Sequence, residues 1–141
     1  MAQWFETAVS YEKIMENGLQ KTVTEKYLFD ALTFTEAESS TIEKLTPYIS
    51  GDFTIKTNKK TKISEILNMN GGDRNYLVKV AFITLNENTG EEKKTISQIL
   101  VGADTLEDAL NVFKEGMKGT MADFDIVSIA ESPILEVFPI D

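Results

Sequence analysis

A chain of 141 residues, 42% hydrophobic and 26% charged, has an ordinary globular composition and the length for one compact domain or two very small ones. Acidic residues outnumber basic ones 23 to 14, a net charge of −9, which opposes broad adhesion to nucleic acid or anionic membrane but leaves room for a local basic patch. With no cysteine and no histidine, disulfides, thiolate or imidazole zinc sites, and Ser-His-Asp or Cys-His catalysis are excluded, leaving carboxylate, lysine or tyrosine chemistry.

Residues 5–13 place Phe5, Thr7, Val9 and Tyr11 on one face and Glu6, Ala8, Ser10 and Glu12 on the other, the period of a half-buried strand. Asn17-Gly18 suits a hairpin turn, because it accepts positive φ. Val23, Tyr27, Phe29 and Ala31 then alternate with Thr24, Lys26 and Asp30 in a returning strand. Thr33 followed by Glu36 reads as a capping box, the hydroxyl accepting from a first-turn N–H and the carboxylate reaching back to the cap's N–H. Phe34, Ala37, Thr41, Leu45 and Tyr48 recur at helical spacing until Pro47 and Gly51 stop the helix, and "DFTIKT" resumes strand alternation.

The second half runs the same course. Tyr76, Val78, Val80 and Phe82 alternate, and "NENTGEE" turns the chain. Ile99, Val101 and Ala103 share one face of the returning strand, and Thr105 with Asp108 caps a second helix. Its apolar stripe is Leu106, Ala109, Leu110, Phe113 and Met117, with Gly116 and Gly119 as C-cap candidates. Phe124 and Ile126 open the last strand.

The two courses stay in register. Tyr76 follows Phe5 by 71 residues, Ile99 follows Tyr27 by 72, and Phe124 follows Phe53 by 71. "KISEIL" at 62–67 meets "PILEVF" at 133–138 at the same offset of 71. A fixed period marks an internal repeat. The expected fold is therefore α+β: two tandem ββαβ repeats, 1–70 and 71–141, joined at "GGD". They are expected to be related by a pseudo-twofold and to form mostly antiparallel sheet with one helix per repeat. Glu6, Ser10 and Glu12 correspond to Leu77, Ala81 and Ile83, so the 76–85 strand is expected to be central or covered, and the 5–13 strand to have a face closer to water.

Four segments invite a functional reading. Lys56, Lys59, Lys60 and Lys62 lie in "TIKTNKKTK" without an acid among them. With Lys26 and Trp4 they form a candidate strip for single-stranded nucleic acid, phosphates on the lysines and a base on the ring. The simpler reading is an edge strand on which lysine discourages aggregation. The ending "ESPILEVFPID" resembles the partner-recruiting tail of bacterial and phage single-strand-binding proteins. Its internal counterpart in "KISEIL" favours an arm that docks Ile134, Val137 and Phe138 into an apolar seam, worth roughly 1.5–3 kcal/mol for each such side chain. Asp123 and Asp125 share a strand face and form a weak candidate for a hard cation such as Mg²⁺, which the frequency of Asp at turns explains more simply. "EGMKGT" lacks the order and spacing of a phosphate loop and reads as a helix end.

The wording "WFETAVSYEKIMENGLQKTVTEKYLFDAL", "EEKKT", "EGMKGTMADFDI" and "ESPILEVFP" covers essentially the whole chain. It resembles a family from gut anaerobic bacteria and their phages and mobile elements that is classed as a domain of unknown function. The resemblance implies a phage or mobile-element context and transfers no catalytic residue, ligand or mechanism.

No run approaches the roughly 18 apolar residues of a membrane span, and no secretory signal is visible, so a cytoplasmic protein without membrane attachment is expected. The function expected is a non-enzymatic binding or assembly module, with no cofactor and no metal, whose partner is another protein or a second copy. The alternative is a single-stranded nucleic-acid-binding protein.

Overall fold

A computed structural model describes residues 3–120 and 122–140. They form eight strands in two four-stranded sheets, with two helices, a mixed α+β fold of two similar halves. The chain divides into two compact units, one built from the residues up to Thr61 together with those from Pro133, the other spanning Lys62–Ser132. Among the described residues no helix is long and apolar enough to cross a membrane.

The first unit contains β1 (Trp4–Ile14), β2 (Gln20–Asp30), α1 (Phe34–Leu45) and β3 (Phe53–Lys60). Its sheet has the order β3-β1-β2, completed by a strand from the end of the chain, Ile134–Phe138. β1 is antiparallel to both neighbours, and its hairpin with β2 closes at Ile14 opposite Gln20. The turn places Gly18 at φ +81°, a conformation that favours glycine. The helix-facing side of the sheet buries Val9 and Phe29 against Leu45 and Ile49, and Phe5 and Ala31 against Ala37.

The first helix starts as the sequence indicates. The Thr33 hydroxyl accepts from the Glu36 N–H at 3.1 Å. The Glu36 carboxylate reaches one residue further back than the capping box implies, accepting from the Leu32 N–H at 2.9 Å. The helix ends at Leu45, one turn earlier than the stripe through Tyr48 requires, because Pro47 cannot supply the N–H that would continue it. Tyr48 is accordingly 78% exposed, outside the buried stripe of Ala37, Thr41 and Leu45.

The second unit contains β4 (Ile63–Leu67), β5 (Arg74–Leu85), β6 (Glu92–Ala103), α2 (Leu106–Gly116) and β7 (Asp123–Ser132), with sheet order β4-β6-β5-β7. The Thr105 hydroxyl caps α2, accepting from the Asp108 N–H at 3.1 Å. Tyr76, Val78, Val80, Ile99 and Val101 pack with Ala109 and Phe113 in one cluster. β5 is an inner strand, and Ala81 on its second face is 3% exposed. β1 is inner too. On its second face Ser10 and Glu6 are half-buried, but Trp4 and Ala8 are buried, so that face is drier than its alternation indicates.

Details of pairing repeat between the halves. β1 and β3 shift register between Ala8 and Val9, and β5 and β7 do so between Lys79 and Val80. The segments "KISEIL" and "PILEVF" are strands: β4 lies parallel to β6, and β8 (Ile134–Phe138) lies parallel to β2. Ile63 stands opposite Gln98, as Ile134 stands opposite Lys26. The chain thus passes from β3 into the other unit at β4, and from β7 back at β8. The units in space therefore differ from the division at 1–70 and 71–141 expected from the sequence.

Candidate functional site

β3 is the outer strand of its sheet, so one row of its backbone N–H and C=O groups has no strand beside it. Lys56, Lys59 and Lys60 lie on it and Lys62 just beyond, all four exposed. Among the described residues none of the four is held in an ion pair. Lys26 is elsewhere, on β2, with β1 between it and β3. Its Nζ lies 3.6 Å from a Glu6 carboxylate oxygen. Trp4 is 5% exposed and presents no ring face to solvent. The structure therefore places Lys56, Lys59 and Lys60 along one edge and adds neither Lys26 nor Trp4 to them; Lys62 belongs to the second unit. Burial of Trp4 removes the stacking surface the nucleic-acid strip requires.

β7 occupies the same outer position in the second unit and is chemically its opposite. Ten residues long, it carries Asp123, Asp125 and Glu131 and no lysine or arginine. Val127 is 57% exposed and Ile126 is 36% exposed. Val127 is skipped where the ladder with β5 shifts register. Glu131 meets Arg74 of β5 at 3.3 Å. Asp123 and Asp125 lie opposite Ile83 and Ala81, so their strand neighbours add no ligand. No group of three or more acidic side chains able to hold a metal ion occurs among the described residues.

A third feature lies on the helix-facing side of the first sheet. Tyr11 donates to Glu25 Oε1 at 2.5 Å, and Tyr27 donates to the same oxygen at 3.1 Å. Burial, the hydrogen bond to Glu25 and its negative charge push the Tyr11 phenol up to about 12. Burial and Glu25 push Tyr27 upward as well. Both phenols are thus held protonated as donors and cannot serve as bases near neutral pH. The corresponding residues of the second half are Phe82, Ser97 and Ile99, so the fold does not require this polar group. Its signal in the sequence is Glu25, a charge in the apolar register between Val23 and Tyr27. Near it an open cleft of about 660 Å³ is lined by Tyr11, Tyr48, Glu12, Lys13 and Asp52.

The arm residues lie on the first sheet. Ile134 is 4% and Val137 1% exposed, and Phe138 stacks on Phe29. Lys118 of "EGMKGT" pairs with Glu115 at 2.9 Å just past α2, and Gly119 takes φ +85°, which makes the segment a helix end with no strand before it.

The chain matches the family model described as Domain of unknown function (DUF4494) over residues 3–140 and belongs to that family. Neither the curated proteins nor the solved structures contain a match to it.

Proposed function

We propose that this DUF4494 domain is a non-enzymatic binding or assembly module that engages protein through the open edge of β7. The observation that carries the reading is the contrast between the two long outer strands. β3 bears lysines, the usual protection of an exposed edge. β7 has none, and shows Ile126 and Val127 beside its unpaired backbone. Such an edge accepts a further strand, with backbone hydrogen bonds for affinity and side chains for selection. The inventory supports a role without catalysis: histidine and cysteine are missing, and the cluster of Tyr11, Glu25 and Tyr27 locks its protons in place. The lack of cysteine supports a reducing, cytoplasmic setting. The resemblance of the wording to a family from gut anaerobes and their phages and mobile elements supports that context.

Hydrogen–deuterium exchange of the β7 amides tests the reading. The dilute chain, the concentrated chain, and the dilute chain in nuclease-treated extract of its own cell are compared. Slower exchange across β7 in either of the last two, abolished by Val127→Lys, is expected. Unchanged β7 exchange in both overturns the reading.

A second reading, single-stranded nucleic-acid binding, draws on the four exposed lysines. It predicts salt-sensitive binding to oligonucleotides that weakens when Lys56, Lys59, Lys60 and Lys62 become Gln. No binding at low salt removes it.

A further inference from the structure

We infer that the β7 edge of one copy is filled by the β3 edge of another, so that the chain assembles head to tail through opposite edges of its two sheets. This rests on the reading of β7 as a docking edge and names its occupant. Four strands are outermost in the two sheets, and β4 and β8 are five residues long, too short to template an extended ladder. The long edges are β3, with eight residues, and β7, with ten. Charge selects among their pairings. Two β3 edges would gather Lys56, Lys59 and Lys60 of both copies at one seam. Two β7 edges would gather Asp123 and Asp125 of both copies, with Glu131 already paired to Arg74. Like charges directly across strands are destabilising and opposite charges stabilising. Only β3 against β7 places lysines beside acids.

The whole-chain charge points the same way. At −9 two copies repel at long range, except where the lysine strip of one meets the acids of the other. The strip is therefore matched to an acidic protein, and this chain is one. The lysines then have two effects: they keep β3 from pairing with itself and admit an acidic edge. Since β3 and β7 are different surfaces, the contact is heterologous. An open assembly ends in a free β3 and a free β7, which either meet to close a ring or add further copies as a filament.

Exchange of charge between the edges tests this. One variant carries Lys56→Glu, Lys59→Glu and Lys60→Glu; the other carries Asp123→Lys and Asp125→Lys. All five positions are exposed, and circular dichroism confirms that each variant folds. Sedimentation velocity and light scattering are expected to show the natural chain at multiples of 15.8 kDa, weakening about tenfold as salt screens the exposed pairs. Each variant alone is expected to be monomeric, because its two edges now carry one sign. An equimolar mixture is expected to reassemble, since each altered edge finds its complement on the other variant. Folded variants that stay monomeric when mixed overturn the inference. So does a natural chain that is monomeric throughout; the docking reading of β7 is then judged by exchange in extract alone. If Val127→Lys dissociates the assembly while the lysine-reversed variant remains assembled, β7 pairs with something other than β3. The docking reading then stands and this inference falls.

Discussion

Phe138, near the end of the chain, stacks on Phe29 of β2 with ring centroids 4.8 Å apart and 9° between the ring planes. The contact sits where β8 lies parallel to β2, Phe138 opposite Phe29, with Val137 opposite Leu28 on the other side of the strand. Leu28 is 0% and Val137 1% exposed, so the arm is closed on that side, while Leu135 and Glu136 stay exposed. Phe138 itself is half-buried, and its loss should cost less than that of a fully enclosed ring. Phe138→Ala is expected to destabilise the first unit by about 2 kcal/mol, below the usual span for a core phenylalanine. Phe138→Leu, which installs the residue found at the matching position Leu67, should lose less than half of that. Urea unfolding of both variants followed by circular dichroism measures the difference. Equal stability of Phe138→Ala and the natural chain would show that the Phe138 ring adds nothing and that Ile134, Val137 and the backbone hold the arm.

The tyrosine pair sets an alkaline limit. In the unfolded chain Tyr11 titrates near 10.0, while in the fold it is pushed up to about 12. Between those values the unfolded state has lost a proton that the native state retains, so stability falls as pH rises. The contribution of this group is full below pH 10 and is lost through pH 12. Tyr27 is shifted in the same direction and adds to the slope. Tyr11→Phe should therefore flatten the decline of unfolding free energy over this window. Glu25→Gln should bring tyrosinate absorbance in at lower pH, because it removes the charge that helps hold both protons. A tyrosinate titration unchanged by Glu25→Gln would mean that burial alone sets the shift.

Much of the fold is legible because local patterns and tertiary demands coincide. Thr7, Val9 and Tyr11 alternate because one face of β1 meets a helix, and Thr33 and Thr105 stand where chains leave strands to begin helices. The partner of the arm is less legible. Period-two alternation says that 62–67 and 133–138 are extended; it does not say which strand they join, since parallel pairing leaves no hairpin turn in the sequence. Trp4 shows the same limit. Its ring type suits base stacking, but burial is decided by what covers the strand, which no local pattern records. Lys26 belongs with the run by charge alone, and cross-strand pairing assigns it to Glu6 instead. The Tyr11, Glu25 and Tyr27 cluster was within reach. The hairpin register brings Val9 opposite Glu25 and Thr7 opposite Tyr27, and the acid on the apolar side is the mark of a polar group that must be satisfied.

The two helix caps should contribute alike. In each, a threonine with extended backbone accepts from the N–H three residues on at 3.1 Å. Thr33→Ala and Thr105→Ala should each cost about 1 kcal/mol, the usual value of an N-cap. Replacement by Ser should restore most of it, since the hydroxyl is what the helix uses. Chemical denaturation of the two alanine variants gives the comparison, and a large inequality would show that one helix is fastened mainly by packing. Acids add to each first turn, Glu36 in α1 and Glu107 with Asp108 in α2, where the helix dipole favours them.

Gly102 is a position where a single methyl group should harm the second unit. It lies near the end of β6, opposite Asn75 of β5. The backbone of Asn68 crosses directly above it: a Cβ on Gly102 would stand 2.2 Å from the Asn68 carbonyl oxygen and 3.1 Å from the Gly71 nitrogen. The same passage is fixed by the Asn68 side-chain amide, which donates to the Gly102 carbonyl at 2.9 Å. Asn68 itself has φ 51°, so the turn that follows β4 cannot shift without losing a left-handed residue that Asn tolerates better than most. Both obstacles are backbone atoms, and neither can rotate away as a side chain would. The matching residue of the first half is Asp30, so the need for glycine arises from this crossing and not from the repeat. Gly102→Ala is expected to destabilise the unit by about 3 kcal/mol, the upper part of the range for forcing extra volume into a packed site. Asn68→Ala removes the amide, leaves the backbone crossing in place and puts alanine at a left-handed φ, and should cost about 1–2 kcal/mol. Thermal and urea unfolding distinguish the two. If Gly102→Ala were no worse than Asn68→Ala, the crossing would be free to move, and the glycine would be explained by neither contact.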